Sequence, residues 1–157
     1  MSKVVVGVFY DRHQAEGALE SLKGLGFEKD ISLVAPDEED SDALLGDQDL
    51  SEGTMAGGAL GGIAGLLAGV GALLIPGVGP IIAAGPIAAT LTGVITGGIA
   101  GGLIDLGLPE ERGEYFEEQV RQGGIVLSMK ASAEQVEETA SILRQHGASD
   151  VEVHEAG

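Results

Sequence analysis

GGALGGIAGLLAGVGALLIPGVGPIIAAGP, residues 57–86, decides how the rest of the chain is read. The uncharged run reaches further still, from Gly53 to Ile104, without one Asp, Glu, Lys, Arg or His. Around it the chain is acidic: 25 Asp and Glu against 8 Lys and Arg in 157 residues give a formal net charge of −17. An apolar stretch in such a chain has to find cover, since leaving apolar surface in water costs roughly 25 cal/mol per Å².

Glycine spacing suggests what kind of cover. Gly57, Gly61, Gly65 and Gly69 recur every fourth residue, and Gly85, Ala89, Gly93, Gly97 and Gly101 do so again. That spacing puts small residues on one stripe of a helix, the pattern that lets two helix backbones approach closely. Each Gly costs about 1 kcal/mol in a helix relative to Ala, so the repeat needs such packing to offset it. The spacing predicts two helices, Thr54 to Leu74 and Pro86 to Ile104. Each would be about 30 Å long, the thickness of a bilayer core. Pro76, Gly77, Gly79, Pro80 and Pro86 then shape an irregular tip between them. The tip has no charge, the chain has no Trp, and Glu52 and Asp105 stand at the helix mouths with no Lys or Arg. Those features disfavour a plain transmembrane span. Two readings stay open: a hairpin embedded in a membrane or lipid surface, or hairpins of several copies sharing an apolar interior with acidic domains outside.

The flanks read as one interrupted domain. KVVVGVF is a strand, and DRHQAEGALESLKGLG a helix with Asp11 as N-cap, Ala15, Ala18, Leu19, Leu22 and Leu25 at helical spacing, and Gly26 as its stop. ISLVAP is a second strand, with Ile31 and Leu33 on one face and Pro36 at its end. After the insert, PEERGEYFEEQVRQ is a helix opened by Pro109, and GIVLSMK a strand. SAEQVEETASILRQHG is a helix with a Ser132/Gln135 capping box, and VEVH a last strand. Ala15, Leu22 and Gly26 align with Val136, Leu143 and Gly147, a weak internal repeat. Two βαβ halves of this kind predict an α+β, ferredoxin-like four-stranded antiparallel sheet with helices on one face. The first strand, apolar on both sides, should be central. The face away from the helices is expected to carry Val5, Phe9, Val34 and Val126, which invites a second sheet or another covering element. Tyr115 and Phe116 fit either a lipid interface or, with Val120, a helix face packed on the sheet.

The expected organisation is 1–36 as the first half of the domain, 37–52 as an acidic linker, 53–105 as the hairpin and 106–157 as the second half. The charge balance argues against nucleic acid as partner, because phosphate binding needs clustered Lys and Arg. Absence of Cys removes thiolate chemistry and the commonest zinc sites. His13, His146 and His154 lie in different elements without a metal-binding spacing, and no phosphate-binding glycine loop is present. The eight acids between Asp37 and Glu52 lack the spacing of a calcium loop and read as a solvated linker. No enzyme activity, cofactor or metal is expected and no small-molecule substrate is identified, though a small-ligand-binding ferredoxin-like sensor with the hairpin as its anchor is a third reading. MSKVVVGVFYDRHQ does not read as a signal peptide, so a cytoplasmic location is expected, at the inner face of the membrane or as a cytosolic assembly.

AEGALESLKGLGF, ISLVAP, IPGVGPIIAAGP and LGLPEERGEYFEEQVRQGG together resemble the bacterial general stress proteins that carry the heat-induced YflT-type domain. The resemblance extends over nearly the whole chain. It implies a stress-associated, non-enzymatic protein, and none of its motifs is a catalytic signature. The residue pattern and the resemblance together lead to the expectation of a homo-oligomer whose partners are its own copies and lipid.

Overall fold

The computed structural model describes residues 2–27, 30–36, 71–75, 78–88 and 98–155. In chain order its elements are β1 (Ser2–Phe9), α1 (Arg12–Gly24), β2 (Ile31–Pro36), β3 (Gly71–Ile75), β4 (Gly79–Ala84), α2 (Gly98–Leu106), α3 (Glu110–Arg121), β5 (Ile125–Ser132), α4 (Val136–Gln145) and β6 (Ser149–Glu155). The strands make a single six-stranded sheet in the order β3-β4-β2-β5-β1-β6, and each neighbouring pair is antiparallel.

The flanking elements form where their local chemistry places them. Asp11 caps α1, its carboxylate accepting from the His13 amide at 2.9 Å. The helix closes with Phe27 N donating to Leu22 O and Gly26 N to Lys23 O, a paired bond that satisfies its last carbonyls. Ala15, Ala18, Leu19 and Leu22 are buried as the spacing requires, whereas Leu25 stands 44% exposed beyond the last turn. Ahead of α4 the Gln135 side chain accepts from the Ser132 amide at 3.0 Å, the back half of the expected capping box.

The insert departs from the helical reading. Residues 71–74, expected at the end of the first helix, lie on β3, and Gly79 and Pro80, expected in an irregular tip, open β4. The chain does reverse there, since Ile75 pairs with Gly79, but the reversal joins strands. β4 pairs with β2 from Leu33↔Ala84 to Pro36↔Ile81, so this part of the insert widens the domain's own sheet. Four strands were expected and six are present. Residues 86–88 are helical and α2 resumes helix at Gly98. Gly57, Gly61, Gly65, Gly69, Ala89, Gly93, Gly97, Pro76, Gly77 and the acidic linker lie outside the described residues.

The sheet is covered on both faces, not one. On one face Val5, Phe9, Ile31, Leu33, Leu127 and Met129 pack against Ala18, Leu19 and Leu22 of α1 and Ala140 and Leu143 of α4. On the other, Val4, Val6, Val8, Val34, Val126 and Ile81 pack against Ile99 and Leu103 of α2 and Phe116 and Val120 of α3. Val5 and Phe9 therefore sit on the α1/α4 side, and Val34 and Val126 on the opposite side, so the four do not share an open face. Gly7, in phase with Val5 and Phe9, helps to set this orientation: a Cβ there would stand 3.2 Å from Ala148 and 3.4 Å from Leu143, so its absence makes room for the end of α4. The covering element that the bare face called for is the α2–α3 pair.

Candidate functional site

Of the glycines proposed for helix pairing, Gly85 and Gly101 are among the described residues. Gly85 is not in a helix. It follows β4 with φ +85°, and a Cβ on it would lie 1.9 Å from the Ile31 carbonyl oxygen. Pro86 begins the helical residues 86–88 immediately behind it, and Ile87 N donates to Ser32 Oγ at 3.2 Å. Gly101 is on α2. The close helix approach in this region is made by a glycine the spacing argument overlooked, Gly113 of α3. A Cβ there would stand 3.0 Å from Ala100 O and 3.1 Å from Ile104 Cγ1. Gly113, Phe116 and Val120 are the buried residues of α3, at i, i+3 and i+7. That amphipathic period in the sequence could have placed Gly113 at the contact.

A polar cluster forms where α3 meets β6. The Arg112 guanidinium grips Glu152 through two bonds, Nε at 3.0 Å from Oε1 and Nη2 on Oε2, and lies over the Tyr115 ring with its carbon 4.2 Å from the centroid. His154 Nε2 stands 2.8 Å from the same Glu152 carboxylate. Tyr115 donates to Asp150 Oδ2 at 2.5 Å, and Tyr10 donates to Gln119. Asp150 is the non-glycine residue with positive φ, at 51°, beside the bulge where the β1–β6 register shifts. Phe116 and Val120 are buried and Tyr115 packs against them, so this helix face lies on the sheet.

Electrostatics in the cluster follow from these contacts. Burial pushes the Glu152 carboxyl up, but the hydrogen bonds from Arg112 and His154 outweigh it and hold the group below its ordinary range. Both tyrosines, the two in the chain, are shifted up: Tyr115 first through its bond to Asp150, Tyr10 first through burial and then through the Asp150 charge. A group whose folded pKa is raised contributes stability below its unfolded value and loses it as pH rises through the folded value. The Tyr115–Asp150 bond is thus intact at neutral pH and is lost above about pH 10. In a spectrophotometric titration, tyrosinate absorbance should appear above the free-tyrosine range in the folded protein. Tyr115→Phe should remove half of that high-pH signal, and ionisation of both rings at the free value would contradict the geometry.

Catalytic geometry is sparse. His146 Nε2 is 3.2 Å from Ser21 Oγ, a pair between α1 and α4 that sequence separation concealed, and the His146 ring also lies against Gly17. No acidic side chain among the described residues orients that imidazole. His13 is exposed, and no group of three or more metal-ligating side chains occurs among the described residues. No helix there is long and apolar enough to cross a membrane. No protein-family model, no curated protein and no solved structure matches the chain.

Proposed function

We propose that this is a non-enzymatic, stress-type protein that works as a cytoplasmic homo-oligomer, with β3 as the strand through which copies join. In this reading β2-β5-β1-β6, with α1 and α4, form a ferredoxin-like unit, and the β3–β4 hairpin extends it to a joining edge. The observation that carries the proposal is the contrast between the two edges of the sheet. β6, SDVEVHE, is studded with Asp150, Glu152 and Glu155 and pairs with β1 through a bulge. Charges and bulges are the devices that keep an edge from pairing with another chain. β3, GALLI, has no charge, no proline and no bulge in its pairing.

Charge supports the same end of the sheet. Copies of a chain with net charge −17 repel one another, and they meet at least cost where carboxylates are fewest. β3 is separated from β6 by the full width of the sheet. Antiparallel pairing of β3 with its copy is self-complementary and gives a twofold dimer, onto which further contacts can build. The lipid-embedded alternative has less to explain than the sequence suggests, because Ile81, Ile82, Ala83, Ala84, Ile87, Ile99 and Leu103 are each at most 1% exposed within a single copy.

Leu74→Lys tests the joining edge, as Leu74 stands in register with the exposed Pro80 at the turn end of the hairpin. Light scattering coupled to size exclusion should show the parent chain as a dimer or larger, and the variant dissociating at a concentration at least ~10-fold higher, a loss of about 1.4 kcal/mol or more. Identical oligomer size and dissociation in the two proteins would refute the joining role of β3.

A further inference from the structure

Between the sheet and the end of α2 lies a cavity of about 130 Å³ whose walls include Val4, Ser32, Ser128, Leu106, Asp30 and Lys130. Ser32 and Ser128 face each other across β2 and β5, and each is only 2% exposed. Ser32 Oγ accepts from Ile87 N at 3.2 Å and keeps its own proton for a further acceptor. Among the described residues Ser128 makes no side-chain hydrogen bond. The two hydroxyls thus stand side by side on the cavity wall with donor capacity to spare, and a bound polar molecule would take it up.

The mouth carries both signs of charge. Lys130 and Asp30 are exposed, and neither takes part in an ion pair among the described residues. Val4 and Leu106 supply an apolar wall. We infer that this cavity binds a small zwitterion with an apolar body, an α-amino acid of alanine to valine size. Its carboxylate is met by Lys130 and the serine hydroxyls, its ammonium by Asp30, and its side chain by Val4 and Leu106. Size agrees: a cavity of roughly 150 Å³ holds benzene, so this one accommodates about six to eight non-hydrogen atoms. The net charge of −17 discriminates against a bare monocarboxylate, whereas a zwitterion brings no net charge to the protein. This site does not depend on the oligomeric reading and is tested apart from it.

Isothermal titration calorimetry on the full chain with L-alanine and L-valine, against propionate and isobutylamine as probes lacking one charge each, reads the assignment directly. At least one amino acid should bind saturably, one per chain, and at least ~10-fold more tightly than either single-charge probe. Lys130→Met and Asp30→Asn, both at exposed positions, should each weaken that binding at least ~10-fold with the unfolding midpoint unchanged. Ser128→Leu should abolish it by filling the space. No saturable binding of either amino acid, propionate binding as tightly as alanine, or full affinity in both K130M and D30N would overturn the inference.

Discussion

Gly85→Ala should cost at least ~4 kcal/mol in urea unfolding, or prevent folding altogether, a loss at the extreme end for a single substitution. Two independent penalties meet at this position. The backbone has φ +85°, which an L side chain rarely adopts, and the added Cβ would fall 1.9 Å from Ile31 O. Relief would require β2 to move, and β2 is held on both sides, by β4 and by β5. The same backbone leads into residues 86–88, where Ile87 N reaches Ser32 Oγ, so a shift would also break that buried bond. A loss below ~1 kcal/mol would mean that the sequence does not pass from β4 into helix through this close approach.

Phe116→Ala should lose about 4 kcal/mol, in the range for truncating a fully buried aromatic. Phe116 is 0% exposed and sits among Val6, Val8, Val126, Ile99 and Leu103, joining α3 to the sheet and to α2. It also meets Tyr115 edge-on, with ring centroids 5.2 Å apart at 80°. Domains of this size are stable by only about 5–15 kcal/mol, so this one ring carries a sizeable share. Leu25→Ala, at a residue 44% exposed, should stay within ~0.5 kcal/mol by the same measurement. Equal losses in the two variants would contradict the placement of α3 as cover for the second face.

What could be read from the sequence divides along physical lines. β1, α1, β2, β5, α4 and β6 are short amphipathic or β-branched runs bounded by caps and glycines, and each is legible as helix or strand. β1 itself exposes the limit: in KVVVGVF both faces are apolar, so the pattern cannot say which side meets α1 and α4, and Val5 and Phe9 went to the wrong one. The odd positions of β2 and β5, Ile31, Leu33, Leu127 and Met129, are apolar throughout, and the even ones include Ser32, Ser128 and Lys130. Reading those strands together with Gly7 would have oriented the sheet.

The insert failed for a different reason. Its four-residue glycine stripe is interrupted at Leu73 and again at Ile81, where a continuous stripe would place glycine. The gap is filled by GALLI and GPIIAA, two apolar runs around a Pro-Gly reversal. Such runs are too short for periodicity to separate strand from buried helix. The polar cluster of Arg112, Tyr115, Asp150 and Glu152 was hidden by the long stretch of chain between its two halves, and no local motif announces it.

Flotation of the full chain, mixed with phosphatidylcholine–phosphatidylglycerol vesicles in a detergent-free density gradient, tests most directly whether the apolar insert is taken up by protein. The account predicts that the chain stays at protein density as a discrete homo-oligomer while lipid phosphate rises without it. Comigration of the chain with the floating vesicles would contradict the account and make the insert a lipid anchor.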